Sequence, residues 1–152
     1  MLQKKTINVK FNSNFKLNGS TNDDAMYYID WSAILKNDNQ HYSVVWSYTS
    51  MQSVFDPNTK IASIYTNIYG ENYIANSYGA NVTLNIGSLF QLNGNTLHAD
   101  TTPNPPIYTY GRPNNNNVNI QIRNNDNPPT ILLDQANAIN TAYILTLSFT
   151  VL

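Results

Sequence analysis

The sequence predicts an all-β domain, an antiparallel β-sandwich of about eight strands. Three observations lead there. Apolar residues recur at every second position along most of the chain, whereas the 3.6-residue period of a helix hardly appears. Clusters of Asn, Asp, Pro and Gly separate these stretches at regular intervals, as in sandwiches and barrels. The length, 152 residues, suits one domain with its own core, residues 1–152. A chain of this size buries roughly two-thirds of its unfolded surface without a metal or disulfide staple.

The elements follow in order. Residues 1–5 are read as a flexible arm. Thr6 to Phe11 places Ile7, Val9 and Phe11 on one face. Met26 to Leu35 places Tyr27, Ile29, Trp31, Ala33 and Leu35 on one face, with Tyr28, Asp30 and Ser32 opposite. Residues Lys36-Asn37-Asp38-Asn39-Gln40 then read as a hairpin turn. Tyr42, Val44, Trp46 and Tyr48 alternate with Ser43, Val45, Ser47 and Thr49. Asp56-Pro57-Asn58 is a turn in which proline presets φ. Ile61 to Ile68 aligns Ala62, Ile64, Thr66 and Ile68; Asn81 to Leu92 aligns Val82, Leu84 and Ile86 before a break at Gly87. Asn93-Gly94-Asn95 offers the positive φ of a tight turn. Val118, Ile120 and Ile122 mark a strand from Asn117 to Arg123, and Thr130 to Leu133 is a shorter one. Asn127-Pro128-Pro129 closes a loop between them. Asp134 to Ile139 fits one turn of helix. Ala142 to Val151 carries Tyr143, Leu145, Leu147, Phe149 and Val151 in one phase and is expected at the centre of a sheet.

Residues 94–117 stand apart as a long Pro/Asn-rich loop. Pro103, Pro105, Pro106 and Pro113 remove ladder donors, and Asn114 to Asn117 are expected to form its mobile tip. Loops of this length are usually functional or disordered.

Composition narrows function. Only 11% of residues are charged and the net charge is −1, against about 25% charged residues in ordinary soluble proteins. A protein that grips phosphates needs a basic surface. The only basic cluster, Lys4, Lys5 and Lys10, reads as a solvated first strand, so no nucleic acid is expected. Amide and hydroxyl replace the charge: about one residue in six is Asn, and there are 11 Tyr. Such a surface resists self-association weakly. There is no apolar run of the ~20 residues a spanning helix needs. The alternation from Ile7 to Phe11 does not resemble a signal-peptide core either.

Motifs for chemistry are scarce. The absence of cysteine removes thiol catalysis and thiolate zinc sites. His41 and His98 are the only histidines and Glu71 the only glutamate; neither a zinc triad nor a P-loop, HExxH or GxSxG motif occurs. Asp30, Glu71, Asp100 and Asp134 are scattered, unlike the facing pair of a glycosidase. Asp23-Asp24 lacks the spaced ligands of a calcium loop. The sequons at Asn18 and Asn81 are what so Asn-rich a chain produces by chance. No catalytic, metal or cofactor residue is expected, and no enzyme.

The aromatic residues divide by phase. Trp31, Trp46, Tyr27, Tyr42 and Tyr48 belong to the core. Tyr65, Tyr69, Tyr73 and Tyr78, in a less regular stretch, and Tyr108 and Tyr110, in the Pro-rich loop, suit contact surface, because Tyr offers area at low entropic cost. The candidate interface is Tyr108, Tyr110, Arg112 and Pro113.

Four segments in order carry a resemblance: Asn104-Pro105-Pro106-Ile107, Gly111-Arg112-Pro113, Val118-Asn119-Ile120-Gln121-Ile122 and Tyr143-Ile144-Leu145-Thr146-Leu147-Ser148-Phe149. Tyr28-Ile29-Asp30-Trp31 and His41-Tyr42-Ser43-Val44-Val45-Trp46-Ser47-Tyr48 precede them. The pattern, from Tyr28 onward, resembles small jelly-roll virion proteins of protist-infecting large DNA viruses and their virophage or polinton-like relatives. The resemblance implies a jelly-roll sandwich and a structural virion protein: a minor capsid, cement or spike component located in the virion. The partners it implies are other capsid proteins. Further copies of the chain are expected too, a homotrimer by preference, and no membrane. The alternative is a carbohydrate-binding, lectin-like module, distinguished by solvent-facing aromatics beside Asp or Asn.

Overall fold

The structure is a computed structural model describing residues 4–36, 40–53, 61–68, 84–91, 97–99, 107–113, 115–124 and 141–152. The strands in chain order are β1 (Thr6–Asn12), β2 (Asp24–Tyr28), β3 (His41–Ser53), β4 (Ile61–Thr66), β5 (Leu84–Gln91), β6 (Leu97–Ala99), β7 (Ile107–Tyr110), β8 (Asn117–Asn124) and β9 (Thr141–Val151). A 3₁₀ turn (Ser13–Phe15) follows β1, and one helical turn, α1 (Trp31–Ile34), follows β2. The described protein is therefore all-β, with almost no helix.

The strands form two antiparallel sheets, a four-stranded one in the order β1-β9-β3-β7 and a five-stranded one in the order β2-β8-β4-β5-β6. The pairing is nested: β1 pairs with β9, β2 with β8, β3 with β7 and β4 with β5. The pairings β3 with β9 and β4 with β8 join these hairpin-like pairs into sheets. β6 extends the second sheet beyond β5.

Each sheet turns one phase of its alternation inward. Val9 and Phe11 of β1, Tyr42, Val44, Trp46 and Tyr48 of β3, and Tyr143, Leu145, Leu147 and Phe149 of β9 are buried. Ala25 and Tyr27 of β2, Val118, Ile120 and Ile122 of β8, and Ile64 of β4 join them in one core. β9 lies between β1 and β3, so its apolar phase sits mid-sheet. Aromatic rings interlock at the centre: Phe149 meets Trp31 at 5.7 Å and Tyr42 at 6.0 Å between centroids, both edge-to-face. Phe11 meets Tyr27 at 5.3 Å in the same geometry.

Several expectations need correction. The alternation from Met26 to Leu35 is not one strand. β2 stops at Tyr28, and Asp30 caps α1, its Oδ1 accepting from the Ser32 and Ala33 amides at 3.0 and 3.3 Å and from the Ser32 hydroxyl at 2.6 Å. Trp31 and Leu35, four apart and so on one side of a helical turn, are both buried, whereas Ala33 is exposed. The turn expected at Lys36-Asn37-Asp38-Asn39-Gln40 has its centre, residues 37–39, outside the described residues.

Residues 94–117 are not one long loop, because β6 and β7 lie inside it. β6 lies before Pro103 and β7 fits between Pro106 and Pro113, and each is at a sheet edge, where proline nearby costs least. Nor are Asn115 and Asn116 a loose tip. The Asn115 carbonyl accepts from the Trp31 indole N–H at 3.0 Å, and the Asn116 carbonyl from the Ile29 amide at 3.0 Å. Buried donors demand such partners. The expected arm is held at Lys5, whose carbonyl accepts from the Val151 amide at 3.2 Å.

The break expected at Gly87 is a bulge: Ile64 faces Gly87 and Tyr65 faces Asn85, leaving Ile86 unmatched. The elements expected at Thr130 to Leu133 and Asp134 to Ile139 lie outside the described residues, as do the turns at Asp56-Pro57-Asn58, Asn93-Gly94-Asn95 and Asn127-Pro128-Pro129.

Candidate functional site

With the inner faces spent on the core, function falls to the outer faces and the edges. On the four-stranded sheet, register aligns Thr6, Thr150 and Ser43; Asn8, Ser148 and Val45; and Lys10, Thr146 and Ser47. The Thr6 and Thr150 hydroxyls share a hydrogen bond of 3.0 Å. The described side chains of this face are hydroxyl-rich and almost uncharged, with Val45 46% exposed near the middle.

The outer face of the five-stranded sheet is built differently. Tyr28 pairs with Asn117, Met26 with Asn119 and Asp24 with Gln121, and Gln121 pairs in turn with Tyr65 of β4. Strand alternation puts all of them in the outward phase. A polar ladder crosses the strands. Asp24 Oδ1 accepts from the side-chain amides of Asn119 at 2.9 Å and Gln121 at 3.0 Å. Gln121 Oε1 accepts from Arg123 Nε at 2.9 Å and from a second guanidinium N–H. The guanidinium lies 4.7 Å from the Tyr65 ring centroid, a cation–π contact. Beyond the end of β4, the Asn67 side chain continues the ladder, accepting from the Asn119 amide at 2.8 Å and donating to the Asn117 carbonyl at 2.9 Å. Tyr28 stands at the open end of this array, 65% exposed.

A third polar group is interior. Tyr143 and Tyr27 share a hydrogen bond of 3.3 Å, Tyr48 stacks on Tyr143 at 5.5 Å, and Ser13 Oγ accepts from the Tyr143 amide at 2.9 Å. Burial pushes the Tyr143 hydroxyl well above its ordinary pKa, and the neighbouring Tyr27, Tyr48 and Asp23 push it the same way. Burial also raises Tyr27, against the opposing effect of its bond to Tyr143.

The predicted interface residues lie on β7 and just after it. Tyr108 and Tyr110 fall on the edge strand β7, in register with Ser43 and His41. Arg112 is half-buried, on the side of Asp30, whose carboxyl its charge helps hold low. Pro113 is buried and cannot present surface. Gly111 before it takes φ +79°, which only glycine adopts without strain, and its amide donates to the Gln40 carbonyl at 2.9 Å. Tyr65, expected at a contact surface, is buried under Arg123; Tyr69, Tyr73 and Tyr78 lie outside the described residues.

Asp23 and Asp24 do not converge on a cation. Asp23 is buried, its Oδ1 accepting from the Thr21 hydroxyl at 2.6 Å, while Asp24 points outward into the ladder. Among the described residues no group of three or more His, Asp or Glu side chains is placed to hold a metal ion, and no helix is long and apolar enough to cross a membrane. His41 is exposed at the start of β3, and His98 lies in β6.

The ladder was missed by sequence reasoning. Its local signal was present, since the outward phase of β8 is Asn117, Asn119, Gln121 and Arg123 without interruption. Its partner strand was not legible: Asp24 and Asn119 are 95 residues apart in sequence. Comparison of the chain with family models, curated proteins and solved structures found no match.

Proposed function

We propose that the protein is a non-enzymatic structural component of a virion, a minor capsid, cement or spike protein that works through protein–protein contacts. The observation that carries this reading is the nested strand pairing. If β6 is set aside as an addition at the edge, the remaining eight strands pair first with last, second with seventh, third with sixth and fourth with fifth. Such nesting supports a jelly roll, a fold used by many capsid and lectin domains. The fold alone does not imply the function, and the surface adds the second support. The outer face of Thr6, Asn8, Ser148, Thr146, Ser47 and Val45 carries one charge among these described rows, that of Lys10, so a neighbour meets it with little charge to desolvate.

The partners are other capsid proteins and further copies of the chain, a trimer by preference. Sedimentation of the full chain over a wide concentration range, alone and with purified capsid protein of such viruses, tests this. Concentration-dependent trimers, or a stable complex with capsid protein, are expected. A monomer at every concentration that also fails to bind capsid protein overturns the reading.

A further inference from the structure

The geometry points to a binding site for a neutral oligosaccharide on the outer face of the five-stranded sheet, centred on Tyr28, Asp24, Asn117 and Asn119. The inference does not depend on the structural role proposed above; an attachment component and a free-standing module would use the same face.

Single exposed aromatics are common and mean little alone. The surroundings of Tyr28 distinguish it. The residue is 65% exposed, and among the described residues its side chain has neither a ring contact nor a hydrogen bond. Beside it, with Met26 between Tyr28 and Asp24 along β2, runs a row of polar groups, Asp24, Asn119 and Gln121 among them held by mutual bonds. One carboxylate oxygen of Asp24 is held by Asn119 and Gln121, and among the described residues no donor bonds the other. The Asn119 amide nitrogen is committed to Asp24, to the Ala25 carbonyl at 3.4 Å and to the Met26 sulfur at 3.2 Å, while among the described residues no donor bonds its carbonyl oxygen. The Asn117 side chain is exposed with both donor and acceptor unused.

A pyranose presents these complements: a face of C–H groups that packs on an aromatic ring, and vicinal hydroxyls that both donate and accept. The ring of Tyr28 takes the first. Asp24, Asn119 and Asn117 take the second: each offers an acceptor oxygen, and the Asn117 amide nitrogen is the donor. The bonds between Asp24, Asn119 and Gln121 hold Asp24 and Asn119 before any ligand arrives, which lowers the entropic cost of binding.

Charge selects the class. Among the described residues of this face the one carboxylate, Asp24, is joined through Gln121 to the one guanidinium, Arg123, so the array is near neutral. Acidic sugars would meet Asp24 first. Neutral hexoses are favoured.

Titration of the ¹⁵N-labelled full chain with neutral gluco-, manno- and galacto-oligosaccharides, with sialyllactose and a heparin oligosaccharide as acidic controls, tests the proposal by chemical-shift mapping. Saturable shifts at Asn117, Asn119 and Gln121 are expected with at least one neutral sugar. Tyr28→Ala should weaken that binding about tenfold, and Asp24→Asn should weaken it too. Tyr28 is exposed, so its loss leaves the fold intact, and unchanged amide shifts elsewhere verify that. Three results overturn the site: no saturable shift with any neutral sugar, binding that survives Tyr28→Ala, or binding confined to the acidic controls. Loss of self-association in Tyr28→Ala, with no sugar bound, assigns the face to a protein contact and overturns it equally.

Discussion

Asp30 and Tyr143 sit at opposite ends of the solvent scale, and both couple proton binding to structure. The bond from the Ser32 hydroxyl, aided by the two cap amides and by Arg112, holds the Asp30 carboxyl below its ordinary pKa. A lowered folded-state pKa contributes stability above the unfolded value that is lost as pH falls through the folded one. Acid should therefore loosen α1 first, read as amide exchange at Ser32 and Ala33. Asp30→Asn keeps an acceptor at the cap and should remove that acid sensitivity without melting the turn; Asp30→Ala should loosen it at every pH. Tyr143 has the opposite sign. Its pKa is raised above 10.0 by burial, so the folded protein holds a proton that the unfolded chain gives up. Stability is complete below the unfolded value and falls as pH rises past it. Chemical denaturation should show the midpoint dropping above about pH 10. Tyr27→Phe with Tyr143→Phe should flatten that drop, and an unchanged slope would place the alkaline sensitivity elsewhere.

At the scale of the element, β9 buries Ala142, Tyr143, Leu145, Leu147 and Phe149, and Phe149 is its anchor, fully buried between Trp31 and Tyr42. Phe149→Ala should cost about 3–5 kcal/mol, read as a fall in denaturation midpoint with an unchanged slope. A midpoint that stays put would mean that β9 is not a core strand. This strand was legible in the sequence because period 2 and burial coincide from Tyr143 to Phe149, as they do from Tyr42 to Tyr48 in β3 and from Val118 to Ile122 in β8. Period alone misled at Met26 to Leu35. Trp31 and Leu35 are four apart, a spacing that lies on one face in a strand and also in a helical turn, so the alternation could not tell the two apart. Asp30 could have, since a carboxylate just before Trp31-Ser32-Ala33 is a helix start. β4 shows a different limit: its outward Tyr65 is buried as well, because Arg123 of the neighbouring strand covers it. The Tyr28 site was illegible for a related reason. Alternation reports which face a residue takes and says nothing of which strand lies beside it, so Asp24 and Asn119 could not be brought together from sequence.

The whole molecule is unusual in how little charge it shows, net −1 with 11% charged residues. Two near-neutral chains approach without long-range repulsion, and steering is equally weak. The proposed contacts through the hydroxyl-rich face must then come from shape, dispersion and neutral hydrogen bonds. Their dependence on salt follows. Raising ionic strength from about 0.1 M to about 1 M shortens the Debye length from about 10 Å to about 3 Å. An assembly held by ion pairs would weaken steeply over that range. One held by Thr, Ser and Asn groups around Val45 should change its association constant little, or tighten slightly in a salting-out anion. The complementary variant is Val45→Lys, in the row next to Lys10. Val45 is exposed in the single chain, so the substitution should leave the denaturation midpoint nearly unchanged. Across a contact it would set unpaired cations in a desolvated interface, weakening association at least about tenfold. Sedimentation equilibrium of both proteins at low and high salt separates the cases. Association that collapses with salt, or that ignores Val45→Lys, would show that the four-stranded sheet's outer face is not the surface that joins the copies.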